Sequence, residues 1–386
     1  MKRYFLCSNG CYLNKIDTKR IELLLNNNGW VRSDKLKDAD TIIFNTCAYN
    51  QGKDDECIQK IEEFKKTKDK KTKLVIGGCL PIINKSRMAA IFKGPSFTPH
   101  TLPHLCSIMN IDKVRDLPSA QKIETDDNNY DGNIKDAFCI RIAYGCLGQC
   151  SFCAVKAVFP KFASKKKLDI IKEFKAGLKK RYDNIFLTAE DTSVYGFDIK
   201  TNLALLSKDL VAIKGEFVIS LYRLNPEGLL KIGSDFIEVL KSRKILFLSI
   251  PVNSGSNKII KLMNRNYKVK KTKDYIKRLK EAAPFVKINL DLMVGFPGET
   301  KRDFMDTLKF VLETNPHSVR VFQYTDRPNA PTRYLKRKIS SDVMKRRSMM
   351  LHRILKISKA SELLEDRLKR KRYNKPPQRR VRSKKS

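Results

Sequence analysis

Long hydrophobic runs are missing from this chain. No stretch approaches the roughly 18 consecutive apolar residues that cross a bilayer, which excludes a membrane-spanning helix. The opening "MKRYFLCSNG" carries too short an apolar run for a secretory signal, so a cytoplasmic protein without a membrane partner is expected. Acidic residues are also scarce: 41 Asp plus Glu stand against 79 Lys plus Arg, for a formal net charge of +38. A field of that sign draws polyanions, so RNA or an RNA-rich particle is the first partner to consider. Codon bias toward Lys and Asn is the other source of such a charge. Cysteine is sparse as well, ten in 386 residues. In a reducing compartment few of these pair as disulfides, so cysteines that cluster point to metal or catalysis.

At 386 residues the chain is too long for one compact core and implies two or three domains. In the first, residues 1–117, "RYFLC", "TIIFN" and "KLVIGG" read as short buried strands, each followed by a helical pattern. That order gives a small parallel α/β sheet. The polar stretch 118–136 reads as a linker. In residues 137–339 six strand candidates, "FCIRIA", "NIFLT", "EFVIS", "ILFLSI", "INLDLM" and "SVRVFQ", alternate with helix-length segments such as 227–243 and 271–283. Six βα units in series imply a partial (β/α)6 barrel. One long helix is expected over 340–366. The last twenty residues, 367–386, hold eleven Lys or Arg and no acid. Such a run repels itself and buries no core, so a disordered basic tail is expected.

"YGCLGQCSFC" places Cys146, Cys150 and Cys153 directly after the first barrel strand, where barrel enzymes put their chemistry. A structural zinc site wants four protein ligands, usually as two separated CxxC pairs. Three thiolates in one loop suit a 4Fe-4S cluster with one iron open to an outside ligand. Cys11, Cys47 and Cys79 lie a few residues beyond the three N-terminal strands and should converge on one sheet edge as a second triad. Cys7, Cys57, Cys106 and Cys139 read as small buried hydrophobes.

The CxxxCxxC loop after the first strand of a partial barrel resembles the signature of radical S-adenosylmethionine (SAM) enzymes. With Cys11, Cys47 and Cys79 before it, the pattern resembles the methylthiotransferases, and the matches run from residue 3 to 350. The resemblance implies two 4Fe-4S clusters. One, on Cys146, Cys150 and Cys153, would bind SAM and yield a 5′-deoxyadenosyl radical. The other, on Cys11, Cys47 and Cys79, would serve sulfur assembly. "LTAEDTSVYG" sets Glu190 and Asp191 where the family contacts the SAM amino group, and Arg223 ends strand three in "SLYRLNP". "PVNSGS" resembles the family's PVQSGS, with Asn253 for Gln beside Ser254. "GFPGET" offers Gly295, Gly298 and Glu299 to the adenine or ribose.

The segment after the triad, "VKAVFPKFASKKK", departs from the family's usual Arg-Gly and basic pair. No stretch after residue 366 reads as the RNA-binding TRAM β-barrel in which members usually end, and its absence is expected. The resemblance implies a methylthio group inserted at an unreactive C–H, preferably on a modified adenosine beside the tRNA anticodon. An aspartate of a ribosomal protein or peptide is the alternative, because "DTSVYG" is similar to that branch too. A non-catalytic iron–sulfur RNA-binding protein is the third reading. A sulfur donor and a low-potential electron donor such as flavodoxin or ferredoxin are implied partners.

Overall fold

The computed structural model describes residues 2–99, 102–111, 121–122 and 137–373. Four strands form the N-terminal sheet: β1 (Arg3–Ser8), β2 (Val31–Arg32), β3 (Thr41–Thr46) and β4 (Lys73–Gly78). They run in the order β2-β1-β3-β4 with every pair parallel. Alternate side chains go to opposite faces. Ile42, Phe44, Leu74 and Ile76 pack with Ile61 and Phe64 of helix Gln51–Thr67, while Tyr4, Leu6, Ile43 and Val75 pack with Ile21, Leu24 and Leu25 of helix Tyr12–Asn26. The short edge strand β2 was not legible in the sequence.

The second sheet holds β5 (Gln121–Lys122), β6 (Phe138–Arg141), β9 (Asn184–Thr188), β10 (Val218–Leu221), β11 (Ile245–Asn253), β12 (Lys287–Val294) and β13 (Ser318–Gln323). Between β6 and β9 a hairpin of β7 (Ala143–Tyr144) and β8 (Ala163–Ser164) brackets the cysteine loop. The order is β13-β12-β11-β10-β9-β6-β5. The six expected strands are parallel to one another, and the sheet is open between its two edges. Gln121–Lys122, expected in a linker, instead adds an antiparallel edge to β6. The rest of the linker and the tail beyond Tyr373 lie outside the described residues.

Helices Lys167–Lys179, Leu203–Val211, Pro226–Leu240, Val269–Ala282 and Lys301–Thr314 cover the outer face. A capping box starts the last of these, with Thr300 accepting from Asp303 N and Asp303 from Thr300 N. The C-terminal helix runs Ser341–Tyr373, past its expected end at 366 and into residues assigned to the tail. Lys and Arg are strong helix formers, so a charge run that cannot build a core can still extend a helix.

The two sheets meet through the first turn of helix Tyr12–Asn26. Tyr12, Leu13 and Ile16 pack on Cys139, Phe186, Tyr222 and Phe247, the inward residues of β6, β9 and β11 and the residue after β10. Tyr12 meets Phe186 edge-on at 5.1 Å between centroids, and Tyr222 stacks on Phe247 at 4.9 Å. The barrel interior is thus closed by a side chain adjoining Cys11. Among the described residues no helix is long and apolar enough to cross a membrane.

Candidate active site between two cysteine triads

Three parallel strands in register bring Cys11, Cys47 and Cys79 to one edge, because β1, β3 and β4 pair Ser8 with Asn45 and Thr46 with Gly78. Cys11 precedes helix Tyr12–Asn26, and Cys79 precedes the turn Leu80–Ile83. The intervening loops are held by side chains other than these thiols. Asn9 Oδ1 accepts from Cys47 N at 3.1 Å, and the Cys57 thiol donates to Cys47 O at 3.1 Å. Cys79 N donates to Thr46 O at 3.0 Å, and Asn14 Nδ2 reaches the same carbonyl at 3.1 Å. At Gly78, φ is 93° and a Cβ would lie 2.1 Å from Thr46 O, so only glycine lets the chain turn toward Cys79.

Within this triad, a hydrogen bond from the Cys47 thiol lowers Cys11 to about 5, against the effect of burial and helped by Arg223 and by the N–H groups of Leu13 and Asn14. These interactions favour the thiolate at Cys11, the form that binds iron. The Cys47 thiol, which donates that bond, is pushed well up, and burial followed by the Cys11 charge pushes Cys79 up.

The second triad lies in the loop bracketed by β7 and β8. Gly145 has φ 77°, and a Cβ there would come within 2.3 Å of Lys161 O. Gly148 N donates to Cys146 Sγ at 3.2 Å, and a Cβ on Gly148 would lie 3.2 Å from that sulfur and 3.8 Å from Cys150 Sγ. Both sulfurs therefore line one bend. Segment 262–264 braces the loop from outside: Ser151 N donates to Met263 O at 2.9 Å, Ser151 Oγ to Leu262 O at 2.8 Å, and Asn264 Nδ2 to Gln149 O at 2.8 Å. Burial raises all three thiols, while Arg265 favours the thiolate at Cys150 and Arg223 at Cys153. Among the described residues no three Cys, His, Asp or Glu side chains gather as ligands of a single metal ion. An iron–sulfur cube holds its thiolates farther apart than one ion does, and a three-thiol loop fits it.

Of the residues expected on SAM, Arg223 packs on Tyr12, the residue after Cys11. It follows β10 in a left-handed conformation, φ 59°, with its guanidinium 5.1 Å from the Tyr12 ring. Its charge favours the anions at Cys11, Cys153 and Glu190. Asn253, at the end of β11, is also left-handed at φ 67° and is buried. Two non-glycine residues held in that region at neighbouring strand ends mark backbone kept in a costly shape by its surroundings. Asp191 is buried after β9. It accepts from Ser193 N at 3.1 Å and Ser193 Oγ at 2.6 Å, and its Oδ2 lies 3.6 Å from Cys146 Sγ. Ser254 Oγ shares a bond with Thr307 at 3.3 Å, which fastens the "SGS" turn to helix Lys301–Thr314.

Glu190, Gly295 and Glu299 are engaged elsewhere. One Glu190 oxygen takes Arg141 and the other accepts from Gly145 N at 2.9 Å. Gly295, φ 81°, backs onto the C-terminal helix, where a Cβ would meet Met344 at 2.2 Å. Glu299 accepts from Gly295 N at 2.8 Å and pairs with Arg347 of the same helix. Gly298, φ 84°, donates its N–H to Arg337 O at 3.0 Å.

Sequence reasoning missed Arg141. It is 0% exposed, donates to both Asp17 oxygens at 3.1 Å, and stacks 4.2 Å from the Tyr144 ring. Through Asp17 it holds the helix that begins at Cys11, and through Glu190 the loop that leads to Cys146. The one available signal was a charge inside the apolar strand "FCIRIA". Also missed was Arg327, whose NH2 donates to both oxygens of Asp54 at 2.9 Å across the two sheets.

Residues 140–311 match the Radical SAM superfamily, and residues 3–97 match the Uncharacterized protein family UPF0004. The chain is 31% identical over 363 residues to the probable threonylcarbamoyladenosine tRNA methylthiotransferase of Pyrococcus horikoshii, a span covering 92% of this chain and 84% of that protein. It is 31% identical over 368 residues to the tRNA-2-methylthio-N(6)-dimethylallyladenosine synthase of Carboxydothermus hydrogenoformans, covering 90% and 81%. Among solved structures it is similar to the radical S-adenosylmethionine methyltransferase TsrM of Kitasatospora setae with cobalamin and a 4Fe-4S cluster bound. That TM-score is 0.61 at 13% identity, over 86% of this chain and 77% of that one, a likeness of fold alone.

Proposed function

The chain belongs to the radical SAM methylthiotransferases, and on that premise we propose that it replaces a C–H by C–SCH3 on a modified adenosine beside the tRNA anticodon, the threonylcarbamoylated base first. The names of the two relatives support this substrate class. The observation that carries the reading is Arg223, which follows barrel strand β10 and sets its guanidinium 5.1 Å from the ring of Tyr12, the neighbour of Cys11. A barrel cation against the neighbour of Cys11 suits two sites that act in succession on one substrate.

Cys146, Cys150 and Cys153 would hold the family's 4Fe-4S cluster, and Cys11, Cys47 and Cys79 would hold a second. With SAM bound and an electron from the donor, the first cluster would supply the radical chemistry that removes hydrogen from an unreactive carbon. Arg223 pairs with the SAM carboxylate. Asp191, Asn253, Ser254 and the Gly298 turn shape the SAM pocket. Glu190, Gly295 and Glu299 set its walls through Arg141 and the C-terminal helix. The same reading calls for a sulfur donor, a low-potential electron donor such as flavodoxin or ferredoxin, and a cytoplasmic location.

Anaerobically reconstituted protein should hold about eight irons and eight sulfides, falling to about half when Cys146, Cys150 and Cys153 become Ala. Mass spectrometry of bulk tRNA and ribosomal proteins, with and without the gene, should show the methylthio group lost from tRNA. Loss from a ribosomal protein instead would overturn the substrate, and stoichiometric zinc without iron–sulfur absorbance would overturn the chemistry.

A further inference from the structure

The segment that follows β13, residues 324–338, crosses the seam between the two sheets and is tied to every part of the rim. Arg327, 2% exposed, is fixed to Asp54 on the N-terminal side. Asn329 Nδ2 donates to Ile82 O and Ile83 O at 3.2 and 3.3 Å, in the turn that begins at Cys79. Thr332 N donates to Ser151 O at 3.1 Å, between Cys150 and Cys153. Arg337 O accepts from Gly298 N at 3.0 Å, and Lys338 Nζ closes back on Thr332 O at 2.9 Å. Both cysteine loops and the glycine turn thus hold one strap.

On this fixed strap Tyr334 is 80% exposed, and Arg333, Lys336 and Arg337 beside it are exposed too. A single exposed aromatic needs no explanation by itself. Three cations within three residues of it do. The only carboxylate between 324 and 338 is Asp326, already engaged by Lys338 and Tyr324. An aromatic face flanked by cations on a braced support is the composition that holds unpaired RNA: the ring stacks on a base and the cations meet the phosphates on either side. Bracing adds to this, because a platform already fixed loses little entropy when a base lands on it.

We propose that Tyr334 is a stacking platform for an unpaired base of the RNA substrate, with Arg333, Lys336 and Arg337 on the adjoining phosphates. This rests on the tRNA reading above and specifies where beside the two triads the loop of the RNA is gripped. A peptide offers neither a base nor a regular phosphate spacing, and peptide binding here is an outcome of the test.

The test uses the reconstituted full chain with a fluorescein-labelled RNA hairpin bearing an adenosine-rich loop, and a blunt RNA duplex as control. Tyr334→Ala should weaken hairpin binding at least fivefold, since stacking is worth about 1–3 kcal/mol per base. The slope of log affinity against log salt and duplex binding should stay unchanged, and Tyr334→Phe should restore affinity to within twofold. Arg333→Gln and Arg337→Gln should each flatten the hairpin slope by about 0.7. Thermal melts of the four variants serve as the folding control, and the proposal stands or falls on variants that melt as wild type. Tyr334→Ala binding the hairpin as wild type does, or losing hairpin and duplex alike, overturns the platform. If the wild type binds neither RNA but binds a ribosomal peptide, the tRNA reading itself fails, which is a separate result.

Discussion

Arg141 shows how much of this active site depends on one buried charge. Its guanidinium faces two carboxylates, Asp17 and Glu190, and burial opposes the charge while both carboxylates support it. Removing one partner from a buried ion pair costs about 3–5 kcal/mol because the remaining charge is left without water or counterion. Arg141→Met should therefore lower stability by at least about 3 kcal/mol, read as a shift of the denaturant midpoint, whereas Asp17→Asn, which keeps the shape, should cost less. A midpoint unchanged in Arg141→Met would show that the triad is not buried in solution. The same residue shows what a motif does not carry. Glu190 stands at the strand end where SAM would be met, but its partner lies 49 positions away, and Arg347 lies 48 from Glu299. A motif fixes the position of a carboxylate along a strand. It carries no sign of the distant cation that will claim it. The cysteines could be proposed from the sequence because each lies just beyond a strand end.

At the scale of elements, the turn "SGS" after β11 owes its shape to Asp303 at the head of helix Lys301–Thr314. Burial would raise this carboxyl, but Lys258 at 2.5 Å, Thr300 Oγ1 at 2.6 Å, Thr300 N at 2.9 Å and Ser256 Oγ at 2.7 Å hold it well below its ordinary 3.8. A carboxyl whose folded value is depressed contributes stability that is fully present above the unfolded value and is lost as pH falls through the folded one. Asp303→Asn should therefore be less stable than wild type by about 1.5–3 kcal/mol at pH 7, the worth of charged hydrogen bonds, and the difference should narrow steadily below pH 4. Urea titrations of both proteins across that range check it, and a gap independent of pH would mean that the charge is not what holds the turn. The long strands could be read from runs of β-branched and aromatic residues, since burial on both faces leaves a continuous apolar signature. The edges β2 and β5 span two residues each and leave no periodicity to find. The length of the C-terminal helix was missed because its basic run signals poor burial, whereas helix formation depends on backbone propensity.

For the molecule as a whole, the decisive feature is that two parallel sheets present the same ends to each other across Tyr12 and Arg223. On the proposed function, radical generation would need only the barrel triad and sulfur insertion would need both, so the two should separate on mutation. The structure makes the experiment clean. Cys47 is held by Asn9 and Cys57 through its backbone, and Cys79 by its N–H on Thr46. Replacing Cys11, Cys47 and Cys79 together by Ala removes the thiols and leaves the bonds that shape their loops. The packing of Tyr12 into the barrel should survive as well, because it depends on Phe186 and Tyr222. The triple variant should fold, keep about half the iron, and still convert SAM to 5′-deoxyadenosine on reduction at a rate near that of wild type, while forming no methylthio product. Full product formation would show that these cysteines are structural. Loss of SAM cleavage along with product would show that the N-terminal triad helps to build the radical site, a coupling for which Arg223, packed on the Tyr12 that follows Cys11, is the route.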